Sequence, residues 1–167
     1  MPKEGASVGV LCYTGFLIRL NQPVDPLHAN ARSYVKFLKE KQFPMFVSTI
    51  ALAEYAVRDR IANLPMRYLR VVPFNIDHAE VAGRFASVAF TLRQQMPEEI
   101  TQRVIIPNDT KMFAQADAGP QITHYLTADE RCEALYRMIA SEVQPNFQLL
   151  SLKTPPRSAF GELELDA

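Results

Sequence analysis

Between Ile50 and Val57 the sequence reads IALAEYAV, and Glu54 is the one charged side chain in it. An unpaired carboxylate in so apolar a stretch costs several kcal/mol or takes up a proton, so it needs an arginine, a metal ion or a water-filled cleft. A plainer reading stays open, in which Glu54 sits on a helix surface or pairs with Arg58 one turn later. Asp109 follows Asn108 at a predicted helix start, and Asp129 comes just after the β-branched and aromatic segment ITHYLT. Each aspartate also has a structural alternative. Acidic groups favour the first turn of a helix, and Thr127 with Glu130 spells a T-x-x-E capping box around Asp129. What raises the three above ordinary acidic residues is their placement on three different β-to-α units of one sheet. Carboxylates so placed can meet at one edge of a parallel sheet, and an all-oxygen cluster suits Mg²⁺ or Mn²⁺. Glu54, Asp109 and Asp129 are therefore the candidate catalytic and metal-ligating residues.

Basic residues that could contact a phosphate are local. Eighteen Lys and Arg balance eighteen Asp and Glu, so no net field draws the chain to nucleic acid or an anionic membrane. The segment containing Arg58, Arg60, Arg67 and Arg70 is nevertheless basic, with Asp59 as its acidic residue and Tyr68 among the arginines. Arg58, one turn past Glu54, could reach a phosphate or neutralise the carboxylate, and Lys111 lies two positions after Asp109. These two are the candidate substrate contacts, with a solvated face as the ordinary alternative. Other chemistries lack their signatures. The six glycines form neither a dinucleotide-binding nor a P-loop pattern, and His28, His78 and His124 fall in separate elements. Cys12 and Cys132 are far apart in apolar surroundings, which predicts buried, reduced thiols.

The elements that must position these residues alternate. Val8 to Tyr13 predicts a buried strand, followed by a short helix over Thr14 to Leu20. Asp25-Pro26 reads as a helix start, with Leu27, Ala31, Tyr34, Val35 and Leu38 along one face. A strand at Pro44 to Val47 leads into a helix capped by Ser48 or Thr49 and running to about Ala62. Leu69 to Phe74 predicts a strand, then Asp77 with Glu80 an acidic cap for a helix reaching about Gln95. Pro97 to Ile106 reads as a polar connection. Pro107 then opens a helix to about Ala116, Ile122 to Thr127 a strand, Asp129 to Glu142 a helix, and Phe147 to Leu152 a last strand. Such alternation predicts the α/β class, a three-layer α/β/α sandwich with a mostly parallel central sheet. A chain of 167 residues supports one core, here residues 1–152, with an irregular tail over 153–167. The apolar stretch near the N-terminus is interrupted by Tyr13, Thr14 and Gly15, so a cytoplasmic protein without a membrane span is expected.

Four segments, VLCYTGFLIRL, STIALAEYAV, IPNDTKMFAQA and YLTADER, in this order and spacing, resemble the motif segments of PIN domains. The resemblance runs from about Val8 to Leu150. It implies a PIN-like fold, a relation to divalent-metal-dependent endoribonucleases of toxin–antitoxin systems, Mg²⁺ or Mn²⁺ as cofactor, RNA as substrate, an antitoxin-like protein partner and a homodimer. By motif position Glu54, Asp109 and Asp129 match three of the acidic residues of such a site. The fourth position differs: where the family has Asp followed by Thr or Ser, this chain has Tyr13 followed by Thr14. A phenol, with a reference pKa of about 10, is neutral at pH 7 and a poor Mg²⁺ ligand. Asp25 does not replace it, because Pro26 marks it as a cap. The expectation is weak or absent RNA cleavage, with a non-catalytic RNA-binding or protein-interaction module on the same fold as the alternative.

Overall fold

The computed structural model describes residues 3, 7–93 and 105–162. Five strands form one fully parallel sheet: β1 (Val10–Cys12), β2 (Met45–Ser48), β3 (Leu69–Val72), β4 (His124–Thr127) and β5 (Gln148–Ser151). Their order is β3-β2-β1-β4-β5. The chain winds outward from β1 to β3, then crosses back to lay β4 on the other side of β1. Val10 faces Met45 in β2 and His124 in β4. The strand order therefore reverses between β1 and β4, and the crevice beyond the carboxyl ends of strands at such a point is where open α/β sheets receive ligands.

Among the described residues, seven α-helices flank the sheet: α1 (Thr14–Leu20), α2 (His28–Glu40), α3 (Thr49–Ala56), α4 (Ile76–Leu92), α5 (Ile105–Ala118), α6 (Glu130–Glu142) and the short α7 (Pro156–Ala159). In one group α1 packs on α2 and α3, and α2 on α7; in the other α4 packs on α5 and α6. This is the expected three-layer α/β/α sandwich. All three residues of β1 are buried, as a central parallel strand requires. Under β4 and β5, Phe113 meets the Tyr125 ring edge-on at 5.0 Å and Tyr136 packs on Phe147 at 5.3 Å. Cys12 and Cys132 are buried and free. Among the described residues no helix is long and apolar enough to cross a membrane.

Several element boundaries differ from the expected ones for local reasons. Asp25 does not cap α2. Its Oδ1 accepts from Leu27 N–H at 2.8 Å and lies 3.6 Å from Arg19 Nε, closing a turn before the helix begins at His28. The third helix stops at Ala56 rather than Ala62. Asp59 accepts from the Tyr55 hydroxyl at 2.8 Å and from Arg60 N–H and Asn63 Nδ2 at 2.7 Å, organising a turn that competes with further helix. The cap of α4 is Asn75, which accepts from His78 N–H while His78 Nδ1 accepts from Asn75 N–H. Asp77 lies inside the first turn instead. At α6 the cap is Asp129 itself, not the T-x-x-E box. Of the connection expected at Pro97 to Ile106, residues 97–104 lie outside the described residues, and Ile105 and Ile106 already belong to α5. Within the segment expected as an irregular tail, Pro156 to Ala159 is helical and Phe160 stacks on Phe37 of α2 at 5.2 Å.

Candidate functional site

At the carboxyl end of β1, Tyr13 continues the sheet's hydrogen bonding by donating its N–H to Leu126 O at 3.0 Å. Its own carbonyl accepts from Phe16 N–H, so the chain turns into α1 at once. The phenol packs near Tyr125, ring centroids 6.3 Å apart, and lies over Gly15. A methyl group on Gly15 would come within 3.2 Å of Tyr13 Cε1. The glycine thus leaves room for the ring. Thr14, next in sequence, is buried and its hydroxyl donates to Glu54 Oε2.

Glu54 stands on the second turn of α3, a helix positioned by Ser48, whose hydroxyl accepts from Ile50 N–H at 3.0 Å. Its second oxygen, Oε1, accepts from Asn108 Nδ2 at 3.2 Å. The half-buried carboxylate is satisfied by two neutral donors from α1 and α5. Among the described residues it forms no ion pair with Arg58, which is exposed and lines the neighbouring cleft.

Asp109 is only 5% exposed. Burial, first, and then the negative charges of Asp129 and Glu54 push its carboxyl up to about 7, with Arg131 acting in the opposite direction. Asp129 caps α6, its Oδ1 accepting from Arg131 N–H at 2.9 Å. The Arg131 side chain then folds back on the same carboxylate, Nε on Oδ1 and Nη2 on Oδ2, both at 3.3 Å. The Tyr13 hydroxyl sits in the field of all three carboxylates. Its pKa is driven upward by burial first, then by Asp109, Cys132, Asp129 and Glu54, so the phenol stays protonated and neutral.

A cleft of about 940 Å³ opens here, walled by Tyr13, Glu54, Arg58, Asp129, Arg131 and Lys153 among others. Lys153 pairs with Glu130 at the rim. Asp109 and the half-buried Lys111 do not line it. The fold therefore brings Glu54, Asp109 and Asp129 into one electrostatic neighbourhood with Arg58 at its border, and leaves Lys111 outside the wall. Among the described residues, however, no group of three His, Cys, Asp or Glu side chains is arranged to hold a metal ion. The donor set explains why the trio does not fit one. Glu54 and Asp129 have protein donors on both oxygens, and Asp109 is buried away from the cleft.

Three participants were not singled out by residue type. Asn108 signalled itself only as the neighbour of Asp109, Thr14 as the residue after Tyr13, and Arg131 as one charge in the run ADER. Nothing in the local sequence says that Asn108 and Thr14 share a carboxylate with Glu54.

No family model matches the sequence, and no curated protein is similar to it. A chain of the crystal structure of VapBC2 from Rickettsia felis, bound to a DNA fragment from their promoter, superposes with a TM-score of 0.53 at 16% identity. The match covers 87% of this chain and 98% of that one. The likeness is one of fold, and the fold is PIN-like.

Proposed function

We propose that this chain is a PIN-domain protein related to the divalent-metal-dependent endoribonucleases of toxin–antitoxin systems, with weak or absent RNA cleavage. The observation that carries this reading is the meeting of Glu54 with Thr14 and Asn108, beside Asp109 and Asp129, at the reversal of strand order. Glu54, Asp109 and Asp129 are the remaining acidic residues of the site, at the positions where the family resemblance implies Mg²⁺ or Mn²⁺ ligands, and as they are arranged in this chain they fit neither ion. Tyr13 contributes a neutral phenol where the ligand set needs an anion. The likeness to VapBC2 supports an antitoxin-like protein as partner, a homodimer is expected from the family resemblance, and the cell compartment is the cytoplasm.

Purified protein incubated with single-stranded RNA and millimolar Mn²⁺ tests this directly. Cleavage is expected at or near background, unchanged by Glu54→Gln. Rapid cutting that Glu54→Gln abolishes would overturn the weak-site reading.

A second reading, a non-catalytic RNA-binding module, is favoured by Arg58, an exposed cation on the cleft wall with no ion-pair partner among the described residues. Arg58, and less directly Lys111, would contact the RNA backbone. Fluorescence anisotropy with a labelled oligonucleotide should then show salt-sensitive binding that Arg58→Ala weakens.

A further inference from the structure

Two carboxylates of this site already have both oxygens occupied by donors from within the chain. Asp129 is held by a two-pronged guanidinium, with Nε and Nη2 of Arg131 each 3.3 Å from a different oxygen. That geometry occupies both acceptor oxygens with one planar cation. Glu54 likewise has Thr14 on one oxygen and Asn108 on the other. Asp109 is buried and absent from the cleft wall, whereas Tyr13 forms part of that wall.

We infer that Arg131 is the resident counter-cation of this acidic cluster and that Arg131 and Tyr13 together close it to divalent ions. The inference rests on the reading of Glu54, Asp109 and Asp129 as the remnant of a metal site. Mg²⁺ or Mn²⁺ demands several oxygen ligands in near-octahedral array, with the carboxylates deprotonated and free. An entering ion would have to displace a guanidinium from Asp129 and endure its repulsion nearby. It would then meet a phenol rather than an anion beside Asp109. Two changes, not one, separate this site from an ion-binding one. Tyr13→Asp alone supplies a ligand but leaves Asp129 occupied. Arg131→Gln alone frees Asp129 but leaves the phenol in place.

The test is Mn²⁺ binding by the full chain near neutral pH, followed by electron paramagnetic resonance of free Mn²⁺. It compares the unsubstituted protein, Tyr13→Asp, Arg131→Gln, the Tyr13→Asp/Arg131→Gln pair and the Tyr13→Asp/Arg131→Lys pair, each checked for native circular dichroism. The unsubstituted protein should bind no Mn²⁺ at millimolar concentration. The double variant should bind at least about tenfold more tightly than either single change. Tyr13→Asp combined with Arg131→Lys retains a positive charge and should fall below the Gln double variant, which keeps the idea testable should Arg131→Gln alone misfold. Mn²⁺ binding by the unsubstituted protein that Glu54→Gln removes, or Tyr13→Asp binding as tightly as the double variant, overturns the inference while leaving the remnant-site reading intact. A folded double variant that binds no Mn²⁺ removes both.

Discussion

Asn108 Nδ2 donates to Glu54 Oε1 at 3.2 Å, joining α5 to α3 across 54 positions of sequence. The contact makes a partly buried carboxylate dependent on an amide that neighbours a second carboxylate, Asp109. It couples the stability of the domain to the composition of its acidic edge, because removing the amide leaves one oxygen of Glu54 without a protein donor.

Asn108→Ala is therefore expected to lower stability by about 1.5–3 kcal/mol, the range for a hydrogen bond to a charged group. Urea unfolding at neutral pH measures it. Asn108→Asp should cost more, since it sets a like charge against Glu54, and the excess should shrink as the carboxylates are protonated in acid. A neutral Asn108→Ala would mean that water replaces the amide without loss.

Gly15 lies beneath the Tyr13 ring, and an added methyl would approach Tyr13 Cε1 to 3.2 Å and Arg19 Nη1 to 2.9 Å. In an open helix Gly→Ala gains about 1 kcal/mol. Here the gain should disappear, because the ring and the guanidinium must both move. Combined with Tyr13→Ala, the same substitution should recover much of the loss, giving a coupling of at least about 0.5 kcal/mol in a double-mutant cycle. Additive effects would show that the ring does not depend on the glycine.

His78 makes stability fall in mild acid. Burial lowers its pKa, against a smaller opposing effect of Asp77, and its Nδ1 must be unprotonated to accept from Asn75 N–H at 3.1 Å. A depressed native pKa means the unfolded chain binds the proton first. The contribution is thus fully present above the unfolded pKa of about 6.5 and is lost as the pH falls through the native value. His78→Gln can still complete the capping box and should flatten part of this slope. Part remains, because burial also depresses His124. Chemical denaturation of both proteins across mildly acidic to neutral pH reads the difference; parallel slopes would exclude the histidine.

Just before β1, a side chain at Gly9 would meet the backbone oxygen of Gln121 at 2.0 Å and the Phe46 ring at 2.9 Å. Neither the peptide nor the packed ring can yield cheaply, and Gly9 O also accepts from Thr123 N–H and His124 N–H. Gly9→Ala should cost about 3 kcal/mol or more, seen as a large drop in melting temperature. A shift within a degree or two would show that β1 and the segment before β4 can separate without penalty.

Much of this architecture was legible from periodicity alone. The five strands and six longer helices follow from apolar runs alternating with amphipathic stretches, because burial on two sheet faces or one helix face imposes those patterns. Boundaries were less legible where side chains bond to nearby backbone. Asp25 and Asp59 each close a local turn, and Asn75 outcompetes Asp77 as a cap, outcomes set by geometry rather than residue preference. Short α7 was also hidden, since Pro155-Pro156 signals a break as readily as a helix start and its docking depends on Phe160 finding Phe37.

At the site, the chain's order of residue types singled out Glu54, Asp109 and Asp129 on separate helical units, and the resemblance to PIN domains implied that Tyr13 stands where such a site has an acidic residue. Hydrophobic patterning places the end of β1 before Tyr13 and the end of β4 before Asp129, whereas α5, which carries Asp109, follows α4 and not a strand. The sharing of those carboxylates among Thr14, Asn108 and Arg131 was decided only in three dimensions. The hydrogen bonds of Thr14 and Asn108 to Glu54 span 40 and 54 positions and depend on side-chain directions at the sheet edge that no local preference encodes, whereas Arg131 pairs with Asp129 two residues before it, through its rotamer at the start of α6.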